Sequence, residues 1–273
     1  MKRLSWFNVT SLTLGFAFLY LPMVILVIYS FNASKLVTVW AGFSTKWYGR
    51  LFQNEAFLDA AWVTIKVGLL SSCLATVLGT MAAYVLVRGG RFRGRVLFSG
   101  MIYAPLVMPE VITGLSLLLL FIGIGLDRGV LTIILAHTTF SMCYVSVVVS
   151  ARLVSFDHSL EEAALDLGCS SLEAFRLVTL PIIAPAVISG WLLAFTLSLD
   201  DLVIASFTAG PSATTLPIKI FSAVRLGVSP EINALSTLMI AVVTIGVISA
   251  SLMSKRANLR RQHEEQAAER GQD

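Results

Sequence analysis

The chain of 273 residues is 56% hydrophobic and only 13% charged, about half the charged share of an ordinary soluble domain. Together with a mean hydropathy of +0.83, this excludes a water-exposed globular enzyme. The apolar residues fall in six blocks of helical length with charges gathered between them. Only helices or closed barrels satisfy backbone polar groups in lipid, and a barrel needs alternating segments of about ten residues. The implied class is an all-α membrane protein.

The first block, Leu4–Ser34, carries no charge and predicts a helix over 9–31. Met1-Lys2-Arg3 before it imitates a signal peptide. The run is longer than an apolar signal region of about 7–15 residues and lacks a small-x-small cleavage site, so it reads as a retained helix. Further helices are expected over 62–87, 97–124, 129–151, 182–207 and 232–253, each long enough to cross hydrocarbon. The third holds Pro105 and Pro109, which should kink it where neighbours satisfy the freed carbonyls. One transmembrane domain over 1–255 and a charged tail over 256–273 result.

Lys and Arg set the orientation. With the N-terminus inside, thirteen fall on the cytoplasmic side, densest in Arg88-Gly-Gly-Arg-Phe-Arg-Gly-Arg95, and six outside, with Lys66 left in a span. Both termini are then cytoplasmic. The net charge of +4 reflects these loops rather than nucleic-acid binding, since no basic stretch is interleaved with aromatics for base stacking. Cys73 and Cys143 sit in apolar spans and Cys169 in a loop, a pattern that indicates neither a disulfide framework nor a zinc cluster. The outer segments are a loop over 32–60 with Trp40, Trp47, Tyr48 and Phe52, which suit a membrane interface, and a loop over 208–231 with Gly210-Pro211 and Pro217 that can be partly re-entrant.

The cytoplasmic loop over 157–181 is long enough to fold on its own. Ser159-Leu-Glu-Glu162 has capping-box spacing, Gly168 is placed to end the helix it starts, and Ser170-Ser-Leu-Glu173 repeats the box. Leu180-Pro181 turns the chain toward the fifth helix. The physical reading alone allows an ordinary amphipathic connector. However, Glu162-Ala163-Ala164, three residues, Gly168, nine residues and Val178-Thr179-Leu180-Pro181 resemble the EAA loop of ABC-transporter permeases at every element. By resemblance, Glu162, Ala163, Ala164, Gly168, Leu180 and Pro181 form the part that docks on an ATP-binding subunit and transmits its motion. Phe195–Ile204, Gly210–Pro217 and Val228–Ser236 further resemble polyamine permeases of the Pot type, and Phe31–Gly42 is nearest their putrescine branch. The resemblance runs to about Met253.

It implies a type I ABC importer permease fold with six transmembrane helices in a bacterial inner membrane. It also implies a homologous second permease, two ATP-binding cassette subunits carrying ATP and Mg, a periplasmic polyamine-binding protein, and no cofactor on this chain. Putrescine or spermidine is the implied cargo.

Three acids lie in or near predicted spans: Glu110, Asp200 and Asp201. An acid at the bilayer centre costs about 2.5–3.5 kcal/mol on insertion scales. Counted from the cytoplasmic ends, Glu110 and Asp200 lie roughly 21 Å and 27 Å up their helices. His137, Ser141 and Tyr144 share a face of the fourth helix by i, i+4, i+7 spacing and reach a comparable level. A cation pathway through Asp200, Asp201, Glu110, His137 and Tyr144 would give a polyamine's ammonium groups carboxylates and aromatic faces. Against it, Asp200 can cap a helix break or pair with Arg225 or a partner subunit, and His137 and Tyr144 can be packing residues. No G-x-x-x-x-G-K-[ST], H-E-x-x-H or G-x-S-x-G occurs, so phosphate-loop, zinc-protease and serine-hydrolase chemistry have no signature. An ion-coupled secondary transporter is the rival reading. It lacks an inverted repeat and leaves the EAA loop unexplained; a membrane anchor leaves the intramembrane acids unexplained.

Overall fold

The computed structural model describes residues 5–36, 39–227, 229–242, 244, 245 and 248. The tail expected over 256–273 and the end of the helix expected over 232–253 lie outside the described residues. In chain order the helices are α1 (Trp6–Ser30), α2 (Lys46–Gln53), α3 (Glu55–Arg88), α4 (Arg95–Val107), α5 (Glu110–Gly123), α6 (Val130–Ser155), α7 (Ser159–Asp166) and α8 (Ser171–Ala174). A π-helical turn, Phe175–Thr179, leads into α9 (Leu180–Asp200), followed by α10 (Val203–Thr208), α11 (Leu216–Leu226) and α12 (Pro230–Val242). Two compact units result, one within Met1–Glu55 and Ala223–Asp273, the other Ala56–Ser222.

Among the described residues four helices are long and apolar enough to cross a membrane, and a fifth span is counted if the bent pair α4–α5 crosses as one. The single kinked helix expected over 97–124 is instead two helices at 118°. Pro109 has no N–H to continue the ladder, and Met108 before it is extended (φ −77°, ψ 137°), as a residue preceding proline prefers. The helix expected over 182–207 likewise stops at Asp200 and restarts as α10. The outer loop expected over 208–231 contains α11 and the start of α12.

In the unit formed by the chain's ends, α1 is 25 residues long and carries no charge, spanning about 37 Å. Its apolar side chains are exposed, so its surface suits an apolar surrounding. The loop after it is organised by buried Asn32. The Asn32 side chain donates to Val39 O (2.7 Å) and accepts from Ser34 N and Ala41 N, while the Asn32 backbone carbonyl accepts from the Trp47 indole at 2.7 Å. Phe31 stacks on Phe43 at 5.3 Å.

In the other unit, α3, α6 and α9 form the core, with Ala75, Ala83, Val145, Val149, Ile183 and Ala194 buried between them. Val145 is held between two glycines: a Cβ on Gly79 would lie 2.6 Å from Met142 O and 2.8 Å from Val145 Cβ, and one on Gly190 3.2 Å from Val145 Cγ1. Apolar burial alone does not drive helices together in lipid, so such close approaches carry the association. Contacts at the two ends fix the chain's path. Thr132 of α6 donates to Thr208 O, and Leu216 N to Thr64 of α3, at one end. Arg88 at the end of α3 donates to Phe156 O, just after α6, at the other. The α4–α5 pair therefore returns the chain from one end to the other. Gly79→Ala is expected to destabilise the detergent-solubilised protein by about 1–3 kcal/mol through the backbone clash. Gly100→Ala, whose Cβ meets nothing within 4 Å, should stabilise it by about 0.5–1 kcal/mol, and thermal unfolding of both reads the contrast in sign.

Candidate functional site

Two helix interruptions, before α5 and after α9, come together because α5 packs on α10. A Cβ on Gly114 of α5 would lie 3.3 Å from Ile204 Cα of α10, and Phe121, Ala136, Phe140 and Ile204 form one buried cluster across α5, α6 and α10.

The carboxylate of Asp201 closes the second interruption. Its Oδ1 accepts from Ile204 N (3.2 Å) and its Oδ2 from Ala205 N (2.7 Å), which satisfies two of the N–H groups that start α10. Oδ2 also lies 3.0 Å from His137 Nε2, whose ring is buried, and His137 Nδ1 is 2.6 Å from Ser198 Oγ. A carboxylate only accepts, so His137 Nε2 carries a proton and donates to Asp201. Ser71 of α3 donates to Ser198 Oγ at 3.2 Å. One chain of polar contacts thus joins α3, α6, α9 and α10.

The other predicted residues are placed differently. Asp200 is exposed at the last position of α9 and Glu110 is exposed at the first of α5. Neither forms an ion pair among the described residues. Tyr144 is half-buried, meets Phe140 edge-on at 5.2 Å, and is close enough to Glu110 for their charges to interact. Helix-break capping, weighed for Asp200, belongs to Asp201. Ser71 and Ser198 were missed, because serines in apolar helices carry no signal until the partner helix is known. Among the described residues no group of three or more His, Cys, Asp or Glu could hold a metal ion.

The second constellation is the hairpin over 157–181. Gly168 has φ +92°, Gly168 N donates to Leu165 O (2.9 Å) and Cys169 N to Ala164 O (3.1 Å), which is the Schellman ending of α7. The expected box at Ser170–Glu173 is formed: Ser170 N donates to Glu173 Oε2 and Glu173 N to Ser170 Oγ. The box expected at Ser159–Glu162 is not. Ser159 is already helical and its N–H is taken by Asp157 Oδ1 at 3.0 Å. Asp157 is held below its ordinary carboxylate value, chiefly by that backbone N–H and next by the Ser159 hydroxyl. Glu162 remains exposed and bonds His158 at 2.9 Å. Ala164 is buried, while Leu180 and Pro181 begin α9.

Sequence reasoning also missed buried Glu161. Its Oε1 accepts from Thr179 at 2.7 Å, and its Oε2 lies 3.0 Å from Arg88 Nε and 3.4 Å from His158 Nε2. The Arg88 N–H is not aligned for a hydrogen bond, so charge holds that pair.

A family model described as "Binding-protein-dependent transport system inner membrane component" matches residues 75–262, and the chain belongs to that family; it is a transport permease rather than an enzyme. It is 58% identical over 276 residues to the putrescine transport system permease protein PotI of Escherichia coli (strain K12), covering 98% of each chain. It is 43% identical over 243 residues to the spermidine/putrescine transport system permease protein PotC of Haemophilus influenzae, covering 89% of this chain and 94% of that protein. A bacterial ABC transporter involved in import of the acidic polysaccharide alginate shares the fold, with a TM-score of 0.70 at 16% identity over 90% of this chain and 94% of that one.

The geometry separates the neighbouring acids energetically. Asp201→Ala leaves two backbone donors and the His137 N–H unpartnered and should destabilise the protein by about 2–4 kcal/mol, whereas Asp200→Ala should stay within about 0.5 kcal/mol. Unfolding of both variants in the same detergent measures the difference.

Proposed function

We propose that the chain is one permease subunit of an ATP-driven ABC importer that moves polyamines, putrescine foremost, from periplasm to cytoplasm. Its 58% identity over 98% of its length to a putrescine permease carries this reading. The subunit crosses a bacterial inner membrane six times with both termini cytoplasmic. It pairs with a homologous permease and two ATP-binding cassette subunits, which carry the ATP and Mg, and it receives cargo from a periplasmic polyamine-binding protein. The chain itself holds no cofactor.

The two helix breaks suit a dication. Asp200 ends α9, where the last carbonyls lack helical partners and the helix dipole is negative, so carboxylate and carbonyls together favour an ammonium group. Glu110 opens α5, whose positive end stabilises the ionised carboxylate beside the Tyr144 ring. Asp201 and His137 hold the break in shape rather than touching cargo. Two separated anions match a cargo with an ammonium at each end better than one would.

The hairpin containing Glu162, Ala163, Ala164 and Gly168, with Leu180 and Pro181 at its exit, serves as the docking and coupling element. ATP binding brings the cassette subunits together and turns the path outward to take cargo; hydrolysis returns it inward.

Labelled putrescine uptake, in a strain lacking this chain, tests the reading. The intact chain should restore uptake, while Glu110→Gln and Asp200→Asn should each lower it about tenfold at equal membrane levels, the loss of roughly one charge-assisted contact. Uptake that the intact chain fails to restore, with the complex assembled, would refute the polyamine assignment. Separately, Gly168→Val forces a branched residue into the left-handed region and should leave ATP hydrolysis running without uptake; ATP turnover and uptake measured on one preparation read the ratio.

A further inference from the structure

The Glu161 carboxylate stands one residue before Glu162-Ala163-Ala164, yet it points the opposite way. The Glu162 side chain is 63% exposed and the Glu161 side chain 7%. A charge so buried is retained only when its neighbours satisfy it, and those of Glu161 come from every element that meets here. Arg88 is the last residue of α3, Thr179 closes the π-helical turn that enters α9, and His158 precedes α7. Arg88 extends the junction further, donating to Phe156 O at 3.3 Å and lying over the Phe156 ring at 5.5 Å, just beyond the end of α6. Tyr84, one turn back on α3, meets Phe175 of the π-helical turn edge-on at 5.0 Å.

We propose that Glu161 is a positioning residue of the coupling hairpin, and that its ion pair with Arg88 is the strut through which movement of the hairpin is delivered to α3. The inference rests on the coupling role proposed above. An apolar contact between helices can slide. The Glu161 carboxylate is held 3.0 Å from the Arg88 guanidinium by charge and accepts a 2.7 Å hydrogen bond from Thr179, so displacing α7 pulls on Arg88 as well. Demonstrated coupling through a two-state element that both sites bias is what establishes transmission of this kind.

The test uses the assembled complex of this chain, its partner permease and the cassette subunits in proteoliposomes. A cysteine is placed at exposed Leu58 near the start of α3. Its reaction with a membrane-impermeant thiol reagent, with and without ATP, requires no cargo; putrescine uptake is measured beside it. Glu161→Gln keeps the shape and the Thr179 contact but removes the charge. It should reduce the ATP-dependent change in labelling at least fivefold and uptake at least tenfold, with the cassette subunits still copurifying. The double variant Arg88→Met/Glu161→Gln removes both charges, a replacement that buried pairs tolerate well in folding. A strut stays lost in the double variant, whereas a pair serving only the fold gives back the wild-type response.

Wild-type labelling changes in either variant, or detachment of the cassette subunits, would overturn the strut. A parent complex that responds to ATP but takes up no putrescine would sink the cargo assignment and leave the strut standing.

Discussion

In hydrocarbon a helix cannot stop without leaving amides and carbonyls that water will not reach, and α9 stops at Asp200, three residues before α10 begins. The interruption survives because Asp201 takes two of the exposed N–H groups and His137 takes the same carboxylate. Everything near the break follows from that one side chain. His137 is oriented by it, Ser198 is oriented by His137, and Ser71 brings in α3 through Ser198. Four helices are thereby tied at a point where backbone regularity has been given up.

The same constraint explains the distribution of small residues. Helices in lipid gain little from apolar burial, so they must come close enough for dispersion and hydrogen bonds to act. Gly79 and Gly190 let α3 and α9 approach Val145 from two sides, and Gly114 lets α5 approach α10. The first approach builds a rigid three-helix core. The second brings the Glu110 break beside the Asp201 break. Packing of small residues therefore places the acids, and the acids do not pack themselves.

Much of this was legible in the sequence, and the limits have physical causes. Apolar helices followed from runs without charge, because a charge is expensive in hydrocarbon over a length that composition reveals directly, but two of the expected spans are each two helices. The hairpin followed from local chemistry: the Gly168 ending and the Ser170–Glu173 box depend on residues within one turn. Where two local donors or acceptors competed, reading failed, as when Asp157 took the Ser159 amide. The breaks were harder. Pro105 and Pro109 announced a kink but not 118°, and no proline marks the end of α9; that break depends on Asp201 meeting a histidine 64 positions away. Asp200 and Asp201 are adjacent and chemically identical, so nothing in the chain distinguishes the capping acid from the exposed one until the turn is built. Glu161, Arg88 and Thr179 were hidden for the same reason, being far apart in sequence and ordinary in type.

These distant contacts converge on α9. Its 21 residues make a rod of about 31 Å, entered through the Thr179 turn that Glu161 holds and ending at the break that Asp201 holds. Its entry is held by the Thr179–Glu161 hydrogen bond and its exit by the Asp201 cap, so both ends of α9 are tied to neighbouring elements. The Thr179 contact at the hairpin and the Asp201 cap at the break thus bracket one helix. On the proposed coupling role, that arrangement lets a movement imposed on the hairpin alter the setting of Asp200 relative to Glu110 at the start of α5. Cargo affinity then changes through the spacing of two carboxylates, without any change in the residues that supply them.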